Sequence, residues 1–82
     1  MYAVYIVECR DGSFYTGIAT DVHRRIREHN QTSRGAVYTR SRRPVVLRFF
    51  RYVSDRSEAL RLELRIKQMN RSEKMLLIKT PR

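Results

Sequence analysis

Two segments place ionisable side chains where apolar ones belong. In residues 22–29, helical spacing puts Val22, Ile26 and His29 on one stripe with Arg25 at its edge, while His23, Arg24, Arg27 and Glu28 point elsewhere. An arginine on an apolar face, four residues before a histidine, needs a partner or a task. It can form an ion pair, snorkel to the rim, or meet an anion. His29 can satisfy carbonyls at a helix C-terminus or handle a proton. In residues 59–69, Ala59, Leu62, Ile66 and Met69 form a second stripe with Glu63 inside it, and Glu58, Arg61, Arg65 and Gln68 lie on the other side. The Glu63 carboxylate can pair with a buried arginine such as Arg25. It can also hold a divalent cation, because hard oxygen ligands suit magnesium when phosphate completes the shell.

Tyr5 and Tyr15 join this set only if the chain folds in one particular way. Tyr2 to Cys9 is apolar, β-branched and aromatic, Arg10-Asp11-Gly12 signals a turn, and Ser13 to Ile18 resumes strand character. A two-residue loop would set Tyr5 opposite Ile18 and Tyr15 opposite Glu8. A three-residue loop, with Gly12 in the left-handed region, would set Tyr5 opposite Gly17 and Val7 opposite Tyr15. Only the second register brings both tyrosines to one face. Either ring can also be an ordinary half-buried strand tyrosine.

The other elements follow from caps and breakers. Thr20 or Asp21 caps a helix running to about Asn30. Gln31 to Arg43 is polar and reads as a long loop, with Arg34, Arg40, Arg42 and Arg43 around Tyr38. Pro44 opens a third strand, Val45 to Val53. Ser54 to Ser57 starts a helix that continues to about Met69. Ser72 can cap a last helix over Glu73 to Ile78. The order ββαβαα predicts an α+β fold, a small three-stranded and mostly antiparallel sheet flanked by helices. The apolar last helix (Met75, Leu76, Leu77, Ile78) reads as core or as the face of a weak homodimer or of a targeting partner.

Composition narrows the function classes. The 82 residues make one domain, 1–82, and 41% hydrophobic residues suffice for a core. A lone Cys9 cannot form an intrachain disulfide, and two histidines with one cysteine fall short of the four ligands of a closed Cys/His zinc site. No apolar run approaches the ~20 residues of a membrane span, and the first residues carry no signal pattern, so the expected location is intracellular. The net charge is +10 and fifteen of the 18 cations are arginine, which suits bidentate contact with phosphate and stacking on bases. Nucleic acid is the expected partner, with no membrane.

At this point a resemblance becomes visible. Ala3-Val4-Tyr5, then nine residues, then Tyr15-Thr16-Gly17, resembles the paired signature of the GIY-YIG nuclease superfamily. Asp21 to His29 is similar to that superfamily's helix, whose arginine lies eight residues after the signature glycine, as Arg25 does after Gly17. Ser57 to Lys67 is similar to the segment that carries the metal-binding glutamate, matched by Glu63. Short stand-alone bacterial members share the Asp-Gly-Ser hairpin, the Tyr38-Thr39-Arg40 segment, the Arg43-Pro44 opening of a strand and the Ser-Glu-Ala-Leu helix start. Ala3 replaces the first glycine and Thr16 the central aliphatic residue. Asn70 is the only candidate for an asparagine found after the glutamate helix in larger members.

The resemblance implies metal-dependent phosphodiester hydrolysis, with DNA favoured over RNA, in repair or processing in the cytoplasm near the nucleoid. It implies catalytic roles for Tyr5, Tyr15, Arg25, His29 and Glu63. Tyr5 would take a proton from water with His29 behind it, Arg25 would face the pentavalent phosphate, and Glu63 would hold Mg²⁺ or Mn²⁺. Tyr15 would position phosphate or water, and Gly17 would let a nucleic-acid backbone come close. Arg34, Arg40, Arg42 and Arg43 would track phosphates, and Tyr38 would stack on a base or pack its loop. The alternative function is a catalytically silent nucleic-acid-binding module of the same fold.

Overall fold

The computed structural model describes residues 1–31 and 36–79. Strand β1 (Tyr2–Glu8) lies between β2 (Phe14–Ala19) and β3 (Val46–Val53) in a wholly antiparallel sheet of order β2-β1-β3. Helix α1 (Val22–Gln31) follows the hairpin, and α3 (Arg56–Lys67) and α4 (Arg71–Lys79) follow β3. The small α+β fold in the order ββαβαα is the expected one. The segment read as a long loop contains one short helix, α2 (Val37–Arg40).

The central strand explains the two-sided core. Ala3 to Val7 are all buried, because helices cover both faces of the sheet. Ala3, Tyr5 and Val7 pack with Val22 and Val45 on the α1 face, where Tyr15, Ile26 and Phe50 join them. Val4 and Ile6 pack with Phe49, Ala59 and Ile66 on the other face, supported by Leu62, Met69, Leu77 and Ile78. Val22 and Ile66 are fully buried, and each such side chain contributes about 1.5–3 kcal/mol. In α4, Leu77 and Ile78 serve the core while Leu76 is exposed.

The hairpin adopts the register that unites the tyrosines. Tyr5 pairs with Gly17 and Val7 with Tyr15. Gly12 has φ +86°, a conformation most residues resist, and Asp11 Oδ1 accepts from the Ser13 amide at 3.0 Å and the Ser13 hydroxyl at 2.6 Å. On the other side of β1 the pairing slips between Ile6–Phe49 and Val7–Leu47, so Arg48 is the extra residue of a bulge.

The caps refine the predicted helix ends. Asp21 Oδ1 accepts from the Arg24 amide at 3.1 Å, and Asp55 Oδ1 from the Glu58 amide at 2.8 Å. Helix α4 begins two residues earlier than a Ser72 cap would allow. Asn70 Oδ1 accepts from the Glu73 amide at 2.9 Å, and the Asn70 amide donates to Glu73 Oε1 at 2.8 Å. This reciprocal pair is a capping box.

Candidate active site

Tyr5 is held at the centre of the sheet by what its neighbour lacks. Its ring lies across Gly17, where a Cβ would come within 2.5 Å of Tyr5 Oη and 2.6 Å of Cζ. The space over Gly17, expected from sequence to admit a nucleic-acid backbone, holds the Tyr5 phenol instead. The glycine is therefore required by the tyrosine itself.

From there a hydrogen-bonded chain runs through the protein. Tyr5 Oη lies 2.7 Å from His29 Nε2, and His29 Nδ1 lies 2.8 Å from Thr39 Oγ1. Thr39 in turn donates its hydroxyl proton to the Ala36 carbonyl at 3.0 Å. Tyr5, His29 and Thr39 are each no more than 1% exposed. Burial pushes the Tyr5 phenol up to about 12, against the nearby Arg25 charge, which favours the phenolate. Burial, and after it the Arg25 charge, lowers the His29 imidazole to about 4. In the free protein the proton therefore stays on Tyr5, and His29 is neutral at physiological pH.

Aromatic contacts line this chain. Tyr15 meets His29 edge to face at 5.5 Å and stacks on Tyr38 at 5.8 Å with 25° between planes. The Arg42 guanidinium sits 4.0 Å from the centroid of the Tyr38 ring. Tyr38 thus packs its own segment against the site while remaining partly exposed.

Arg25 and Glu63 approach Tyr5 from different helices. Both contribute to the electrostatic environment of its hydroxyl, although α1 covers one face of the sheet and α3 the other. The direct Arg25–Glu63 pair weighed from the sequence gives way to separate partners. Arg25 reaches Glu28 Oε1 at 3.0 Å, and Glu63 reaches Lys67 Nζ at 3.4 Å. Side-chain exposure is 27% for Arg25 and 20% for Glu63, so both can be reached from solvent. Among the described residues no three His, Cys, Asp or Glu side chains gather to hold a metal ion. A single half-buried carboxylate fits a hard cation whose remaining ligands are water and phosphate oxygen. It does not fit a closed protein cage.

The loop arginines divide by task. Arg42 ties α2 to the hairpin turn through Asp11 Oδ2 at 3.0 Å and the Tyr38 carbonyl at 2.8 Å. Arg43 Nε donates to the His29 carbonyl. Arg40 is exposed, and Arg34 lies outside the described residues. Asn70 has its carbonyl oxygen engaged in the α4 cap. Two residues near the site were not singled out from sequence. Thr39 carries no periodic signal, and only its place within Tyr38-Thr39-Arg40 marked the segment. Asn30 clamps Val45 like a strand partner, accepting from its amide at 2.7 Å and donating to its carbonyl at 3.1 Å. This fixes the end of α1, and with it His29, against the start of β3.

A GIY-YIG hairpin fold carrying two tyrosines, an arginine, a histidine and a glutamate around one hydroxyl defines the class. The GIY-YIG catalytic domain family matches residues 1–76, and the chain belongs to this family, a nuclease superfamily whose domains bind nucleic acid. It is similar to the small UPF0213 proteins of bacteria and archaea. A UPF0213 protein of Desulfotalea psychrophila is 54% identical over 76 residues, 93% of this chain and 69% of that protein. One from Halobacterium salinarum is 52% identical over 77 residues, 94% of this chain and 99% of that protein. The solution NMR structure of a UPF0213 protein from Bacillus halodurans is similar with a TM-score of 0.60 at 44% identity, covering 95% of this chain and 83% of that one. Among the described residues no helix is long and apolar enough to cross a membrane.

Proposed function

We propose that this protein is an endonuclease that hydrolyses phosphodiester bonds with a divalent cation, Mg²⁺ or Mn²⁺. DNA is its favoured substrate over RNA, directed by strand or structure with little sequence specificity, in repair or processing in the cytoplasm. The observation that carries the reading is the 2.7 Å bond between Tyr5 Oη and His29 Nε2 on the face shared with Tyr15, with Arg25 beside it.

Exposure divides the labour. Tyr5 is 1% exposed, so it handles a proton rather than gripping a nucleic-acid strand. Tyr15, Arg25 and Glu63 are partly exposed and within reach of a phosphate. A water entering beside Tyr5 loses its proton to Oη as the phenolic proton passes to His29 Nε2. The water oxygen forms the new bond to phosphorus, and the bond to the leaving oxygen breaks, that oxygen taking a proton from solvent. Arg25 presents forked donors to the charge that builds on the phosphate. Tyr15, braced between His29 and Tyr38, positions a phosphate oxygen. Glu63 would hold the divalent cation, which would supply Lewis-acid charge for the departing oxygen.

The test is cleavage of a mixed panel of linear, nicked and branched duplex, single-stranded DNA and RNA, with Mg²⁺, Mn²⁺ or EDTA, using wild type beside Glu63→Gln. Cleavage that requires the cation and disappears in the folded variant is expected. Salt-sensitive binding by both proteins with cleavage by neither would identify a silent binding module instead.

A further inference from the structure

Thr39 takes part in none of the steps above, yet it is fully buried and bonded to the one histidine at the site. We infer that Thr39 is a positioning residue that fixes the tautomer of His29 and so sets the direction in which Tyr5 can release its proton.

The argument is a count of protons along the chain. A backbone carbonyl accepts and never donates. Ala36 O, 3.0 Å from Thr39 Oγ1, therefore takes the single hydroxyl proton of Thr39. Thr39 Oγ1 then has only lone pairs to offer His29, and the 2.8 Å contact requires a proton on Nδ1. A neutral imidazole protonated at Nδ1 carries its lone pair on Nε2, and that lone pair faces Tyr5 Oη at 2.7 Å. Tyr5 is thereby the donor to His29. Of its own oxygen lone pairs, one faces the Arg25 guanidinium and the other can receive an incoming water.

The opposite order would place the proton on Nε2. It would turn the Thr39 hydroxyl away from Ala36 O to donate to Nδ1, beside the Ala36 amide at 3.4 Å, and so give up the 3.0 Å bond to that carbonyl. It would also leave Nε2 unable to accept the phenolic proton. The assignment thus comes from the whole network rather than from any one bond. The fold supplies the geometry through the single turn of α2, in which Ala36 precedes the helix and Thr39 folds back on it.

The catalytic consequence rests on the nuclease reading; the tautomer does not, and the two are tested separately. Nitrogen-15 NMR of the His29 ring at neutral pH should show Nδ1 protonated and Nε2 bare in the wild type. Thr39→Val keeps the volume and removes the hydroxyl, and should move the ring toward the Nε2-protonated form. Thr39→Ser should restore the wild-type pattern. In the cleavage assay Thr39→Val should be slowed at least ~10-fold and Thr39→Ser should recover most of the rate, as expected where positioned proton transfer supplies ~100- to 10,000-fold. An Nε2-protonated ring in the wild type overturns the inference, even if Thr39→Val does not fold. So does a folded Thr39→Val protein with an unchanged ring. A wild type that shows the expected tautomer and cleaves nothing leaves the Thr39 assignment standing and removes the nuclease reading instead.

Discussion

The Tyr5 ring occupies the space that a side chain on Gly17 would fill, with Oη 2.5 Å from where a Cβ would stand. Such a contact is below any ordinary van der Waals distance, and the atoms met are the rigid end of a buried ring. Gly17→Ala must displace Tyr5, at a cost of about 1–3 kcal/mol for overpacking. Thermal or urea denaturation of Gly17→Ala, Tyr5→Ala and the double variant should show a combined loss smaller than the sum, because the second substitution removes what the first collides with. Additive losses would mean that the two positions do not touch in solution.

Tyr5→Phe retains the ring over Gly17 but leaves His29 Nε2 buried without its donor. The unpaired nitrogen should cost about 1–3 kcal/mol, which denaturant melts would register while the fold survives. Cleavage should fall by ~100-fold or more, because the proton path from water to His29 loses its middle member.

Stability should fall on mild acidification because of His29. Its folded value of about 4 lies below the ordinary 6.5, so both folded and unfolded chains hold it neutral above pH 6.5. Between pH 6.5 and 4 only the unfolded chain gains the proton, and up to about 3 kcal/mol is lost across that window. His29→Phe should flatten this part of the stability profile measured by denaturant melts. Asp11 and Asp21, held below the usual carboxylate value mainly by hydrogen bonds from Ser13 and from the Arg24 amide, act only at lower pH.

The alkaline limb carries the opposite sign. Tyr5 is raised from 10 to about 12, so its contribution is complete below pH 10 and is lost as pH climbs to 12. Ultraviolet titration at the phenolate band should resolve one tyrosine ionising at about 12, and that component should be missing from Tyr5→Phe.

Thr16 offers a stabilising change. Its hydroxyl is buried opposite Ile6 in β2 with no hydrogen-bond partner among the described residues. Thr16→Val replaces that oxygen with a methyl group of equal shape and removes an unmet polar cost of about 1–3 kcal/mol. The melting temperature should rise by several degrees, since ~1 kcal/mol moves a domain of this size by about 4–8 °C. An unchanged or lower melting temperature would show that the hydroxyl is satisfied in solution.

Local chemistry was legible without coordinates. Period-two and period-3.6 patterns, the Arg10-Asp11-Gly12 turn and the run from Ala3 to Val7 each rest on interactions within a few residues, so they specify the ββαβαα order by themselves. The inward placement of His29, Arg25 and Glu63 was likewise a matter of helical angle. The sequence left the hairpin register open between two loops, and only the fold, with helices covering both faces of β1, selected Tyr5 opposite Gly17.

Partnership between elements was decided by tertiary structure. Arg25 with Glu28 and Glu63 with Lys67 are pairs one turn apart within single helices, and Asn70 to Glu73 has capping-box spacing, so those contacts follow local rules. No local rule says that Tyr5 takes His29, 24 positions away. Nor does any periodicity mark Thr39, which reaches His29 across ten positions through a segment without regular pattern. The residues with chemistry to offer were set by type and spacing. Which of them share protons was set by contacts between elements distant in the chain, because a hydrogen bond depends on distance and direction in space.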